Sequence, residues 1–525
     1  MTKRHPRPQR GASPHDRLAA KPSRRTPDIV FQALVVAASL GSALLFLTRE
    51  KRIAGAWGFS LDDSWIHATF ARNIATGHGF SFNPDEPVAG STAPLYTSIL
   101  AALFWMTKEM IWSGKAVGIL CQAGSALLIY RVFLRMNPRQ HVAALFCGLF
   151  VALSPPLVWA SVSGMEISLY ILFLCLGLYF YVDGRGVRAS AVWAAGVWVR
   201  PDGLFLVALS LLGPRSQLRR KLLVVAPVLA TYVAFNVAVG HSALPQTVGT
   251  KAHFGVQLAA RTVNLIREWG TLWGLPYHPY DQLEHPWLLF PIMVLGAVLT
   301  ARKQPVLALF WLGLPIAFSL FRENSSSHKR YILHAIPLGM LLATQGMVWV
   351  SRRLTPQTPQ RVVVGLSAAC ILWQLAYLDR KATIHGWNVQ NINGMEITMA
   401  KIASQVTTPG ATIGDSDVGA MGYFSNRRVV DLMGLVSKRM TLPENLSVNR
   451  PSVIVVDMEW FREYARRDSA SHYFAFYDAD STHRYTPLGA VELLHNTICS
   501  TNEMVMFQRQ GLHDPPVANK FRIRT

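Results

Sequence analysis

The sequence predicts a multi-span α-helical membrane protein with a soluble α/β domain at its C-terminal end. Three observations predict this. Of 525 residues, 51% are hydrophobic and only 15% charged, whereas soluble domains carry about a quarter charged residues. The hydrophobic residues come in blocks of roughly 17–22 with almost no internal charge, the length that crosses a bilayer as a helix. From about Lys381 the blocks stop, and short β-rich runs between turn residues replace them.

The elements follow in order. Residues 1–28 form a basic tail, with eight Lys or Arg among the first 25; its composition predicts disorder. A full-length apolar span follows it and no small-residue cleavage site does, so the region does not read as a cleavable signal. The first span runs from Ile29 to Leu47, and a polar segment covers 49–93. Further spans centre near residues 124, 150, 173, 194, 208, 230, 293, 313, 340 and 370, which makes about eleven. The block Ala93–Met106 is apolar but short, the mark of a re-entrant or interfacial segment. Residues 29–380 thus form the membrane module and 381–525 the soluble domain, with strands expected at 412–415, 428–431, 452–457 and 503–507 and helices at 394–406 and 457–467.

Charge orients the spans. With the tail in the cytoplasm, every predicted inner loop is basic, including Arg131/Arg135/Arg139 and Arg215/Arg219/Arg220/Lys221, as positive-inside bias requires. Segments 49–93, 155–164, 241–285, 322–329 and the C-terminal domain then lie outside. The net charge of +21 reflects this orientation and contact with anionic lipid; no nucleic-acid-reading motif is present. The five cysteines form no CxxC pair, which argues against a disulfide framework or a thiolate metal site.

The outer segments hold the candidate chemistry. Leu61 to Ile74 has helical spacing of Ile66, Phe70 and Ile74, which suits an amphipathic interfacial helix with Asp62 and Asp63 in its first turn. Acidic residues there can simply suit the helix dipole, or one can take a proton from a sugar hydroxyl. His67 lies four residues after Asp63 and reads as a polar residue on a solvated face. Glu86 sits in a turn. Glu166, in Ser-Gly-Met-Glu (163–166), begins an apolar block, where an acid is costly unless solvated, paired or functional. Arg200 and Asp202 interrupt a long apolar run; they can pair across a tight turn, or leave a cation at the outer mouth of the bundle. Lys251, Arg330 and the adjoining Tyr331 lie in other outer segments, and the two cations break the positive-inside bias. A site for an anionic lipid phosphate on the outer face needs such cations.

The run 62–96, beginning Asp-Asp-Ser-Trp-Ile, resembles the first periplasmic loop of GT-C glycosyltransferases. The resemblance is to the group that includes the mycobacterial terminal arabinofuranosyltransferases and mannosyltransferase-like members. Residues 163–166, 200–203, 244–251 and 330–337 recur in the order that family shows, and 414–436 resembles the start of its C-terminal domain. The resemblance implies inverting transfer of a sugar from a polyprenyl-phosphate donor to a glycan, lipid or protein acceptor on the outer face of a bacterial inner membrane. It implies that Asp62 or Asp63 is the base. Glu86, Glu166, Arg200, Asp202, Lys251, Arg330 and Tyr331 would bind substrate, with the cations on the leaving phosphate. Three departures stand out: His67 replaces a small polar residue, Ala-Gly-Ser-Thr-Ala (89–93) replaces Glu-Gly-Tyr-Thr-Asn, and Pro-Gln-Thr (245–247) replaces Pro-Asn-Thr. A lipid phosphomonoester leaves without a metal in principle, yet the Asp pair could hold a divalent cation; the sequence leaves this open. A transporter or flippase of a lipid-linked or anionic solute is the competing class. Against it stand the missing inverted repeat and the outer domain, which has no transport role.

Overall fold

A computed structural model describes residues 25–212, 215–243, 245, 257–276, 285–320, 327–437, 439–467, 474–512 and 521–525. The basic tail 1–24 and Lys251 lie outside the described residues. Helix α1 (Arg25–Ala54) has Asp28 in its first turn and Lys51 and Arg52 in its last, charges that suit its dipole at both ends. The segment after α1 then folds as α2 (Asp62–Ala75), an irregular loop, and α3 (Pro94–Thr107). Proline opens α3, at the position where a missing N–H costs nothing.

The bundle continues with α4 (Met110–Met136), α5 (His141–Ala152), α6 (Pro155–Val162), α7 (Ile167–Val182), α8 (Gly186–Gly196), α9 (Leu204–Leu211), α10 (Arg215–Gly240), α11 (Leu258–Leu272), α12 (Leu289–Ala301), α13 (Pro305–Ser319), α14 (Ile336–Leu354) and α15 (Pro359–Asn391). Helices α5 and α6 form one apolar path bent by 52°, because Pro155 and Pro156 cannot continue the preceding turn. Every predicted span centre falls inside a helix. Among the described residues, five helical segments are long and apolar enough to cross a membrane, or six if the bent pair is one span. Helices α3, α7, α12 and α13 and the segment 201–211 are apolar but shorter.

The soluble domain does not begin at a break. Helix α15 runs unbroken through the boundary expected at 381, and a π-helical turn (Ile392–Ile397) leads into α16 (Thr398–Val406). An eight-stranded sheet follows: β1 (Thr412–Asp415), β2 (Arg428–Asp431), β3 (Val453–Asp457), β4 (Arg466–Arg467), β5 (Phe474–Tyr477), β6 (His483–Glu492), β7 (Glu503–Gly511) and β8 (Phe521–Arg524). The order is β2-β1-β3-β7-β6-β5-β4, with β8 against β6. Strand β1 is parallel to β2 and β3, with Asp415 opposite Asp431, and β3, β7, β6, β5 and β4 then run antiparallel. The short helix α17 (Val418–Phe424) joins β1 to β2. The four sequence-predicted strands correspond to β1, β2, β3 and β7; the stretch expected as helix at 457–467 is one short helical turn, Met458–Phe461, and a 3-10 turn, Arg462–Tyr464, before β4.

The segment 62–82 shares a core with this domain. Ile66, Phe70 and Phe82 pack in one cluster with Ile413, Val455 and Met506. Helix α2 therefore has no solvated face: ten of its fourteen residues are buried, Ile66 and Phe70 among them. This corrects the expectation of an amphipathic helix lying at the interface.

Candidate active site

Adjacent side chains on a helix diverge by about 100°, and Asp62 and Asp63 accordingly meet different partners. Asp62 is 5% exposed. Its Oδ2 accepts the Gly419 N–H at 2.5 Å and its Oδ1 the Ala420 N–H at 2.6 Å, at the start of α17. Burial, with Asp417 and Glu396 beside it, pushes the Asp62 carboxyl well above the usual carboxylate range. The Asp63 side chain is more open, at 18% exposed, and pairs with Arg330. Among the described residues, no three His, Cys, Asp or Glu side chains group as a metal site.

Asp63 leads into a chain of charges. Burial alone pulls the Arg330 guanidinium down, but Asp63, Tyr331 and Glu166 more than offset this and hold it above its ordinary value. Arg330 lies 5.4 Å from the centre of the Tyr331 ring, and Arg200 lies 5.3 Å from the same ring. Arg200 Nη1 donates to Glu166 Oε1 at 2.7 Å, and its Nε donates to Asp202 at 3.0 and 3.2 Å. His67 Nε2 stands 3.3 Å from Glu166 Oε2. His67 Nδ1 is 3.0 Å from Ser91 Oγ, which bonds Thr97. Among the described residues, the buried Arg330 Nε and Tyr170 hydroxyl have no hydrogen-bond partner.

The loop 163–166 that carries Glu166 is tied down on three sides. Ser64 Oγ donates to the Ser163 carbonyl at 2.9 Å, Tyr96 Oη to the Gly164 carbonyl at 2.6 Å, and Lys115 Nζ to the Val162 carbonyl at 3.1 Å. Lys115 is itself held 2.8 Å from Glu50, which also meets His385 at 2.8 Å; all three side chains are fully buried between α1, α4 and α15. Gly164 has φ +82°, a conformation open to glycine, and a Cβ there would strike the Phe59 ring at 2.3 Å. The Arg330 loop is anchored by its neighbour His328, stacked on Trp159 at 4.3 Å and 2.7 Å from Asn388 Nδ2.

Of the residues nominated from sequence, Asp63, Glu166, Arg200, Asp202, Arg330 and Tyr331 come together. Asp62 is turned to α17 instead, and Lys251 lies outside the described residues. Glu86 sits on the surface, 2.7 Å from Arg428 of β2, with both side chains over two-fifths exposed. His67, read from sequence as a solvated polar residue, is 4% exposed and part of the chain. Its burial had no local signal, because half of the residues of α2 are polar or charged. The Lys115, Glu50 and His385 cluster was also passed over, although ionisable residues inside apolar spans mark structured or functional positions.

The comparisons with known proteins fit this architecture. The crystal structure of ArnT from Cupriavidus metallidurans bound to undecaprenyl phosphate aligns with a TM-score of 0.56 at 12% identity, over 90% of this chain and 97% of that one. The Archaeoglobus fulgidus oligosaccharyltransferase in complex with Zn and sulfate gives 0.55 at 12%, over 81% and 68%. AglB from the same organism, in complex with an inhibitory peptide and a dolichol-phosphate, gives 0.53 at 10%, over 81% and 69%. This chain has their fold. Residues 383–507 match the family "Domain of unknown function (DUF8728)". No curated protein matches the sequence.

Proposed function

We propose that the protein is an inverting glycosyltransferase that moves a sugar from a polyprenyl-phosphate donor to a cell-envelope acceptor on the outer face of a bacterial inner membrane. The observation that carries this reading is the group at Tyr331. There, a partly exposed carboxylate, Asp63, is paired with Arg330; the buried Arg330 Nε has no hydrogen-bond partner among the described residues, and a second buried arginine lies on the same ring. The fold likeness to ArnT and AglB, solved with undecaprenyl phosphate and dolichol-phosphate respectively, supports the donor class. The resemblance of 62–96 to GT-C loops supports the sidedness.

The step is a single in-line displacement. Asp63 takes the proton of the acceptor hydroxyl, whose oxygen bonds the anomeric carbon from the face opposite the phosphate. The bond from that carbon to the phosphate oxygen breaks, and its electron pair leaves with polyprenyl phosphate. Arg330, exchanging Asp63 for the phosphate, and Arg200 meet the developing charge with preorganised donors. Glu166 and Asp202 hold the Arg200 fork, and His67 backs Glu166. Lys251 is a further candidate for the phosphate. Asp63 is the better base of the pair, since Asp62 is buried, already accepts two amide N–H groups and holds its proton to higher pH. In this scheme the arginines supply the positive charge that the departing phosphate needs.

The test uses purified protein in proteoliposomes, a panel of radiolabelled polyprenyl-phosphate sugars and membrane extract as acceptor. Label entering an acceptor establishes the class and the donor. Carrier-dependent flux across the bilayer without transfer would replace this reading with a transporter.

A further inference from the structure

Helix α2 grips the soluble domain at both ends of one short helix. Asp62, at the start of α2, accepts the N–H groups of Gly419 and Ala420. Ten residues later, Arg72 donates from Nη1 to the Tyr423 carbonyl at 2.6 Å and from Nη2 to the Gly422 carbonyl at 3.0 Å. A carboxyl group on the N–H end of α17 and a guanidinium on its C=O end satisfy groups that a helix cannot satisfy internally. Trp65 fills the space between, 4.9 Å from Tyr423 and 4.7 Å from Phe424.

The approach is close enough to need glycine. A Cβ at Gly419 would lie 2.1 Å from the Asp62 carbonyl oxygen, and one at Gly422 would lie 2.4 Å from the Phe82 ring. A second grip lies further along the outer segment. Asn83 donates from Nδ2 to the Val429 carbonyl at 2.9 Å and accepts the Val429 N–H at 2.9 Å, so it pairs like a strand residue with β2, the edge of the sheet.

We infer that the domain of unknown function at 383–507 positions the transfer site, and that Asp62 and Arg72 are its positioning residues. Clamping α17 at two points about 15 Å apart along α2 fixes the rotation of α2. That rotation is what turns Asp63 away from the soluble domain and onto Arg330. The inference rests on Asp63 being the base. A reacting group displaced by about 1 Å loses on the order of 10² in rate, so loosening the clamp lowers kcat while leaving the phosphate-binding arginines, and hence KM for the donor, nearly unchanged.

The experiment combines hydrogen exchange and kinetics on the full-length protein. Gly419→Ala pushes α17 off α2 without altering a polar group; Arg72→Ala and Arg72→Lys are the second pair, should the first variant fold poorly. We expect faster exchange at residues 419–424, a kcat lower by on the order of 10² in Gly419→Ala and Arg72→Ala, a donor KM within a few-fold, and partial recovery in Arg72→Lys. Unchanged exchange in both Gly419→Ala and Arg72→Ala overturns the clamp. Faster exchange with an unchanged kcat overturns its positioning role. A wild type that transfers no sugar overturns the transferase reading instead, and exchange alone then decides the clamp.

Discussion

Arg200 and Glu166 form a buried pair, with Nη1 and Oε1 2.7 Å apart and side chains 7% and 4% exposed. The pair joins the turn before α9 to the loop before α7, two segments 34 residues apart. Removing one partner of a buried pair strands the other charge and costs about 3–5 kcal/mol. Glu166→Ala is therefore expected to lower the melting temperature sharply and raise the donor KM, with Glu166→Gln intermediate. Thermal melting and donor titration check this, and an unchanged melting temperature would remove the pair from the account.

Arg330 is expected to resist conservative exchange. Lysine supplies the charge but not the planar fork that serves Asp63, Tyr331 and a phosphate together. Transfer by Arg330→Lys should fall well below wild type, close to Arg330→Ala. Steady-state rates at saturating donor decide it; near-wild-type turnover in the lysine variant would mean that only charge is needed.

His67 contributes packing and polarity together. His67→Ala leaves Ser91 and Glu166 without the ring between them, and unsatisfied buried groups cost about 1–3 kcal/mol each. We expect a loss of stability in that range by denaturant unfolding in detergent. A loss below about 0.5 kcal/mol, the usual scale of a surface change, would restore the solvated-face reading.

Glu86 is expected to be dispensable. Its pair with Arg428 is exposed, and such pairs contribute about 0–1 kcal/mol. Glu86→Ala should keep transfer and stability within error of wild type; a large rise in KM would return Glu86 to the substrate site.

The carboxyl of Asp415, at the end of β1, is pushed well above the usual range by burial. Asp417 and, less, Asp431 add to the rise, while the amides of 417 and 416 oppose it. A raised acid keeps its proton in the folded state, so its stabilising contribution is whole below its ordinary value of about 3.9 and is lost as pH rises through the raised one. Asp415→Asn is neutral at every pH. Between about pH 5 and 8 its melting temperature should fall less than that of the wild type, and parallel profiles would contradict the assignment.

Much of this was legible in the sequence because apolar blocks and β-rich runs are local signals. The span centres near 124, 230 and 370 fall in α4, α10 and α15, and strands at 412–415 and 428–431 match residue for residue. The arginines at 200 and 330 stand out in the sequence because, on the topology it predicts, cations in outer segments break a charge rule. What stayed hidden was long-range. That Asp62 and Asp63 divide between two partners depends on α17, more than 350 residues away. Glu86 had no local feature that separated a surface pair from a ligand. Composition changes at 381 while helix α15 runs on through it, so a composition boundary there carries no sign of the helix.

The most direct measurement is single-turnover transfer from the active polyprenyl-phosphate sugar by wild type, Asp63→Asn and Asp62→Asn in proteoliposomes. Loss of a general base costs on the order of 10²–10⁴ in rate. The account predicts that loss in Asp63→Asn, with donor binding retained, and a smaller loss in Asp62→Asn accompanied by faster exchange at 419–420. Full activity in Asp63→Asn, or the larger loss in Asp62→Asn with unaltered exchange, would contradict it.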